Sequence, residues 1–284
     1  MYRIKTEQYH TIFNKPYTKG GNFMKTALIT GASSGFGARF AQLFAKDGYN
    51  LVLTARRTEL LGQLKTQLEG EYGIDVTVLT KDLSRPDAAA EIFAFTQQNN
   101  IHIDVLVNNA GFGNLGNFAA ADLKKQQDMI NLNVLSLVNL THLYLQPMLE
   151  KGFGKVLNVA SIAGFAPGPG MSVYYATKAF VLNFSDALAT ELKGTGVTVT
   201  ALCPGPVNTG FADAAGFKKS VLFSGKDDGK AMQVSRYGYN AMNRGKAVAL
   251  PDVMCKLGVF GVRLVPREFA KQFIYKVQSS RTDK

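Results

Sequence analysis

At 284 residues, with 46% hydrophobic and 19% charged residues, the chain has room for one large domain or two small ones and the composition of a soluble globular protein. Two cysteines outside any C-x-x-C pair and three scattered histidines give no disulfide framework and no metal-ligand spacing, which points to a reduced, cytoplasmic protein without structural metal. The net charge of +11 gathers at the ends: residues 1–23 carry four Lys/Arg against Glu7 (+3) and residues 253–284 carry seven against two acids (+5), leaving +3 for the body and arguing against a nucleic-acid groove.

Residues 1–23 are polar and irregular, contain Pro16 and Gly20-Gly21, and lack the apolar core of a signal peptide. They read as a disordered tail, a tag or a misplaced start, with Met24 directly before the first strand-like run. No apolar run reaches the length of about 18 residues that a membrane span needs.

Residues 25–30, K-T-A-L-I-T, read as a buried parallel strand. The turn that follows holds Gly31, Ser33, Ser34, Gly35, Phe36 and Gly37 and opens onto a helical pattern. Strand, glycine turn and helix make a phosphate cradle, because glycine lets backbone approach a pyrophosphate and a helix start offers free N–H groups. The spacing is G-x-x-x-G-x-G rather than the G-x-G-x-x-G dinucleotide fingerprint.

The second strand, 50–55, runs into Arg56-Arg57, where an acid would be needed to hold the ribose 2′-hydroxyl of NAD. A guanidinium suits a 2′-phosphate instead, so NADP(H) is favoured over NAD(H), with Arg56 the preferred ligand of the two. Helix and strand then alternate: helix 60–70, strand 74–80 ending before Asp82-Leu83, helix 87–99, and strand 103–107 ending in Asn108-Asn109-Ala110-Gly111. Asp82 and Asn109 stand beyond strand ends, where doubly wound sheets bind ligands; each is either a cofactor contact or a turn-forming residue. One long helix is expected over 121–149, carrying Asn131 and Asn133 on a face where an unpartnered amide is costly. Strand 155–160 delivers Ser161 at its end. The A-P-G-P-G loop (166–170) leads to a helix with S-V-Y-Y-A-T-K, then strand 197–203 ends in Pro204-Gly205-Pro206, and residues 247–250 add a last strand.

Tyr174 and Lys178 lie four residues apart on that helix and so share a face. At about 4 Å and an effective dielectric of about 20, the ammonium favours phenolate by about 4 kcal/mol, or about three pKa units. This predicts a phenol brought near neutrality for acid/base work, with burial eroding part of the effect. Tyr175 has Ala179 at the same offset and lacks such a partner.

Together T-G-A-S-S-G-F-G (30–37), N-N-A-G (108–111), Asn133, Ser161, Y-Y-A-T-K (174–178) and P-G-P-V-N-T (204–209) resemble the short-chain dehydrogenase/reductase family over about residues 25–250. The resemblance implies a single doubly wound α/β Rossmann-type domain (24–252) around a seven-stranded parallel sheet, and hydride transfer between a nicotinamide and a carbonyl/alcohol pair. It implies Tyr174 as proton donor or acceptor, Lys178 as the group that tunes it and binds the nicotinamide ribose, Ser161 on the substrate oxygen, and Asn133 holding a relay water. Leu83, Ala110, Gly111, Pro204, Gly205, Val207 and Thr209 join the cofactor contacts, and Asn108 braces the sheet. A homodimer or homotetramer through the two long helices is implied as well.

The segment after Pro206, with Phe211, Phe217, Leu222 and Phe223, reads as a lid over a hydrophobic small-molecule substrate. Residues 253–284 form a basic amphipathic extension. Its Phe269, Phe273 and Ile274 stripe packs on the domain or another subunit in the first reading and touches a membrane surface in the second. A catalytically silent NADP-binding regulator of the same fold is the alternative to an enzyme. A nucleotide-sugar epimerase or dehydratase needs a larger C-terminal domain than the residues after Val207 provide.

Overall fold

The computed structural model of the chain describes residues 24–207 and 228–279. Seven strands, β1 (Thr26–Thr30), β2 (Asn50–Ala55), β3 (Val76–Thr80), β4 (Val105–Asn108), β5 (Gly154–Val159), β6 (Val197–Leu202) and β7 (Val248–Ala249), form one parallel sheet in the order 3-2-1-4-5-6-7. Every residue of β1 and β4 is buried. That explains why these strands read as unbroken apolar runs, since helices cover both faces.

The helices are α1 (Gly35–Lys46), α2 (Thr58–Tyr72), α3 (Ala88–Gln98), α4 (Leu123–Ile130), α5 (Ser136–Lys151), α6 (Ser172–Glu191) and α7 (Asp228–Asn243). Phe40 and Phe44 of α1, Leu61 and Leu68 of α2 and Met242 of α7 fill one side of the sheet. Ile92 of α3 and Leu140, Tyr144 and Met148 of α5 fill the other, with the Tyr144 hydroxyl hydrogen-bonded to Thr96 at 2.9 Å. The strand order reverses between β1 and β4, so the chain parts at their carboxyl ends and leaves a crevice there.

The single helix expected over 121–149 is interrupted. Asp122 caps α4 by accepting from the Lys124 N–H at 2.9 Å, and α4 stops at Ile130. A π turn, Asn131–Leu135, follows before α5 resumes. The wider turn places Asn133 inward, only 2% exposed, and such turns gather at functional sites.

Two further helices, α8 (Val253–Leu264) and α9 (Arg267–Ser279), flank Pro266. Cys255 and Val259 bury the inner side of α8, which packs on the 3-10 turn Ile162–Phe165. Val253, Leu257, Phe260 and Leu264 form an exposed stripe on its outer side. On α9, Phe269 and Phe273 are exposed, whereas Ile274 is half-buried. Among the described residues no helix is long and apolar enough to cross a membrane.

Candidate active site

A cleft of about 750 Å³ runs along the carboxyl ends of β1, β4 and β5 from the glycine turn to α6. Gly31 adopts φ +65°, and a Cβ there would stand 2.9 Å from Ala110 Cα; a Cβ on Gly37 would lie 2.3 Å from the Gly31 carbonyl oxygen. These positions therefore require glycine for the turn to close against β4 and α1. Gly35 and Phe36 line the cleft at the start of α1, which has no side-chain cap and no acid in its first turn. Its first N–H groups and positive dipole end stay available to an anion.

Both arginines after β2 line this end of the cleft, but they point to different partners. Arg57 donates through Nε to Ser33 Oγ at 3.1 Å and through one terminal nitrogen to Ser33 Oγ at 2.9 Å and Ser34 Oγ at 2.6 Å. Arg56 lies toward Asp82. Burial works against the Asp82 charge, yet the Ser84 N–H and hydroxyl, with Arg56 and Arg85 nearby, hold its carboxyl below the usual range. The guanidinium that reaches the glycine turn belongs to Arg57, while Arg56, the arginine preferred from the sequence, lines the same end of the cleft. Asn109 gives its amide to the Thr30 and Gly31 carbonyls, bracing β1 and its turn. Asn108, as expected, ties β4 to Asn158 of β5 and Thr141 of α5.

At the other end Ser161 and the first turns of α6 come together. The Ser161 hydroxyl caps the following 3-10 turn, accepting from Ala163 N–H at 3.1 Å, and donates toward the Pro204 carbonyl at 3.5 Å. It also faces the buried Tyr174 phenol and favours its ionised form. Lys178 Nζ donates to the Val159 carbonyl at 2.7 Å and sits 5.8 Å from the centroid of the Tyr174 ring. Asn133 clasps Phe112, accepting from its N–H at 3.1 Å and donating to its carbonyl at 3.0 Å, and donates to Thr177 at 3.1 Å. A Cβ on Gly111 would stand 2.9 Å from Asn133 Oδ1 and 3.6 Å from Lys178 Nζ, so glycine here lets the two groups converge.

The electrostatics differ from the expected phenol with a pKa near neutrality. Burial raises the Tyr174 pKa above the ordinary phenol value, and Ser161 only partly opposes it. Burial also pushes Lys178 down to about 8, against a smaller opposing pull from Cys203. Removing both groups from water penalises both ions, and that penalty exceeds the attraction on which a near-neutral phenol rests. The phenol keeps its proton, which is the form needed to protonate a developing alkoxide.

A family model described as short chain dehydrogenase matches residues 25–219. The chain belongs to the short-chain dehydrogenase family. It is similar to a sulfoacetaldehyde reductase of Chromohalobacter salexigens, 42% identical over 186 residues, which cover 65% of this chain and 73% of that one. Its fold is similar to that of a solved short-chain dehydrogenase from Sphingobium yanoikuyae in complex with NADPH, with a TM-score of 0.75 and 33% identity over 84% of this chain and 94% of the other. A Burkholderia phymatum short-chain dehydrogenase/reductase in complex with NAD gives a TM-score of 0.75 at 26% identity, covering 83% and 92%. The chain is an oxidoreductase that interconverts CH–OH and C=O groups.

For a short-chain dehydrogenase the expected residues converge well. Gly31, Ser33, Ser34, Gly35, Phe36, Arg56, Asp82, Leu83, Asn109, Ala110, Gly111, Ser161, Tyr174, Lys178, Pro204, Gly205 and Val207 all line the cleft. Gly37 and Asn133 stand behind it as packing and bracing, and Thr209 lies outside the described residues, as do Phe211, Phe217, Leu222 and Phe223. Sequence reasoning did not assign Phe112, Ile162, Ala163, Met171 and Tyr175, which line the substrate end. An apolar residue after N-N-A-G or beside Ser161 looks like any core residue, so no signal marked them. A Cβ on Gly168 would stand 2.2 Å from the Tyr175 ring, so the A-P-G-P-G loop is what lets that ring lie where it does.

Proposed function

We propose that the protein is an NADP(H)-dependent oxidoreductase that interconverts a carbonyl and a secondary alcohol on a hydrophobic small molecule, with Tyr174 as general acid/base. The observation that carries this reading is the single cleft joining Arg56, Arg57 and the uncapped start of α1 to Tyr174, Ser161 and Lys178. Its donor set fits a phosphorylated dinucleotide: guanidinium groups and helix N–H groups at one end, an ammonium and hydroxyls at the other. Arg57, oriented by Ser33 and Ser34, with Arg56 beside it, would hold a 2′-phosphate, and no acid stands where NAD would need one.

A bound nicotinamide supplies the hydride in reduction and takes it in oxidation. In reduction Ser161 donates a hydrogen bond to the substrate oxygen and Tyr174 delivers the proton as negative charge develops there. Lys178, held by Val159, supplies positive charge beneath the phenol and reaches for the ribose hydroxyls. Asn133 stands beside it across Gly111, as the post for a relay water. A silent regulator of this fold would have a broken set at these four positions, and all four are assembled here.

Phe112, Ile162, Ala163, Met171 and Tyr175 give the substrate end an apolar wall. Among the described residues Lys178 is the cleft cation nearest to it, whereas Arg56, Arg57 and Lys81 belong to the opposite end. The apolar wall supports a hydrophobic carbonyl substrate. We place the enzyme in the cytoplasm, with Cys203 and Cys255 free as they are in the structure. We assign it a homo-oligomeric state, dimer or tetramer, through α4–α5 and α6, which expose Leu123, Ile130, Leu135 and Phe180. The basic helices α8 and α9 are taken as part of that assembly rather than a membrane contact; salt-sensitive co-sedimentation with anionic vesicles would reverse that order. The function is tested by following NADPH and NADH absorbance with a carbonyl panel that runs from apolar ketones to small anionic aldehydes. Turnover with NADPH and apolar ketones is expected. Turnover of neither coenzyme with any carbonyl would overturn the reading.

A further inference from the structure

The C-terminal helix α8 reaches into the site at one point. Asp252 caps α8, its Oδ1 accepting from the Cys255 N–H at 2.6 Å, while the Cys255 thiol donates to Asp252 Oδ2 at 3.1 Å. The same sulfur packs against the Gly205 backbone, where an added Cβ would stand 2.8 Å from it. Gly205 lines the cleft between Pro204 and Pro206, with Val207 following. From the opposite side the Pro204 carbonyl accepts from the Ile162 N–H at 3.1 Å and from the Ser161 hydroxyl at 3.5 Å. The loop is therefore held between Ser161 and Cys255.

We infer that Cys255, oriented by Asp252, is a positioning residue for the cofactor: it latches the Pro204–Val207 wall, so that α8 forms part of the active site. The inference rests on the proposed reading of that wall as the nicotinamide side of the cleft. Its physical basis is the small number of other restraints on this segment. Two prolines leave only the Gly205 and Val207 N–H groups to anchor it. Of the two residues, Gly205 is the one the Cys255 sulfur packs against. Burial, then the Asp252 carboxylate, pushes the Cys255 thiol up to about 12. It therefore stays protonated at neutral pH and donates to Asp252 while its sulfur packs on Gly205. The contact is tight enough that glycine is the only residue at 205 that leaves the sulfur in place. Sequence reading gave no hint of this, because Cys255 has no paired cysteine or motif around it.

The test uses the full-length protein and the variants Cys255→Ala, Cys255→Ser and Asp252→Asn, each checked for folding by circular dichroism. Hydrogen exchange of the peptide carrying Gly205 and Val207 is measured without cofactor, and NADPH binding is titrated by its fluorescence. Cys255→Ala is expected to speed exchange in that peptide and to raise the Kd and KM for NADPH about three- to tenfold with a smaller change in kcat, the scale of one lost buried packing contact. Cys255→Ser, which keeps a donor and an acceptor, should recover most of both effects. Unchanged exchange and unchanged NADPH binding in a folded Cys255→Ala protein would overturn the latch, as would a Cys255→Ser protein no better than Cys255→Ala. Should Cys255→Ala fail to fold, Asp252→Asn decides by the same two readouts. If wild-type protein binds no NADPH, the cofactor reading fails while the exchange comparison still decides whether Cys255 holds the loop.

Discussion

The Arg57 guanidinium lies 2.6 Å from the Ser34 hydroxyl, which ties the end of β2 to the turn that opens α1. A phosphate on the adenosine ribose would sit where these two elements meet. Arg57→Ala is therefore expected to weaken NADPH binding by at least about tenfold and NADH binding by little, since a charge-assisted pair contributes about 1.5–3 kcal/mol. Arg56→Ala should act in the same direction. Parallel titrations of the two coenzymes check this, and equal losses for both would remove the 2′-phosphate assignment.

From inside the π turn Asn133 donates hydrogen bonds to the Phe112 carbonyl and Thr177 and accepts one from the Phe112 N–H. Asn133→Ala leaves the Phe112 N–H and carbonyl without these partners in a part-buried place. The expected cost is about 1–3 kcal/mol of stability, and kcat should fall by more than the folded fraction does. Thermal unfolding and initial rates on the same preparation separate the two effects.

Burial lowers Lys178 to about 8, so its ammonium is present below that pH and lost as pH rises through it. The carbonyl-reduction rate is expected to fall over that interval. Lys178→Arg keeps a cation and should move the falling limb upward, even at a lower maximal rate. A reduction rate that climbs through pH 8, with the chemical step limiting, would show that the charge does not assist the phenol.

Two glycine substitutions should have opposite signs. Gly37→Ala puts a Cβ 2.3 Å from the Gly31 carbonyl oxygen, so the cradle must open and coenzyme binding should be lost. Gly62→Ala, inside α2 with open space around the added atom, should stabilise the protein by about 0.5–1 kcal/mol. Denaturant unfolding of both variants checks the pair.

The sheet was legible because its strands are buried on both faces, so 25–30 and 103–107 announce themselves as apolar runs closed by glycine or asparagine. The candidate catalytic residues were legible as a group because Ser161 ends a strand and Tyr174 and Lys178 share one helix face beside it. What the sequence did not show depends on tertiary direction. Nothing in M-I-N-L-N-V marks a π turn, since one extra residue per turn is a matter of packing against Phe112 and Thr177. Which arginine turns toward Ser33 is set by the exit of the chain from β2. The raised Tyr174 pKa is a consequence of burial, which spacing alone does not fix. Cys255 meets Gly205 across 50 residues of sequence, through a helix that the family motifs do not include.

The most direct measurement is turnover of Tyr174→Phe beside its NADPH binding. The hydroxyl is removed and the ring kept, so binding should stay within about threefold of wild type while kcat falls by at least about two orders of magnitude. A folded Tyr174→Phe protein that reduces the same carbonyl at a rate near wild type would contradict the assignment of that phenol as the proton donor.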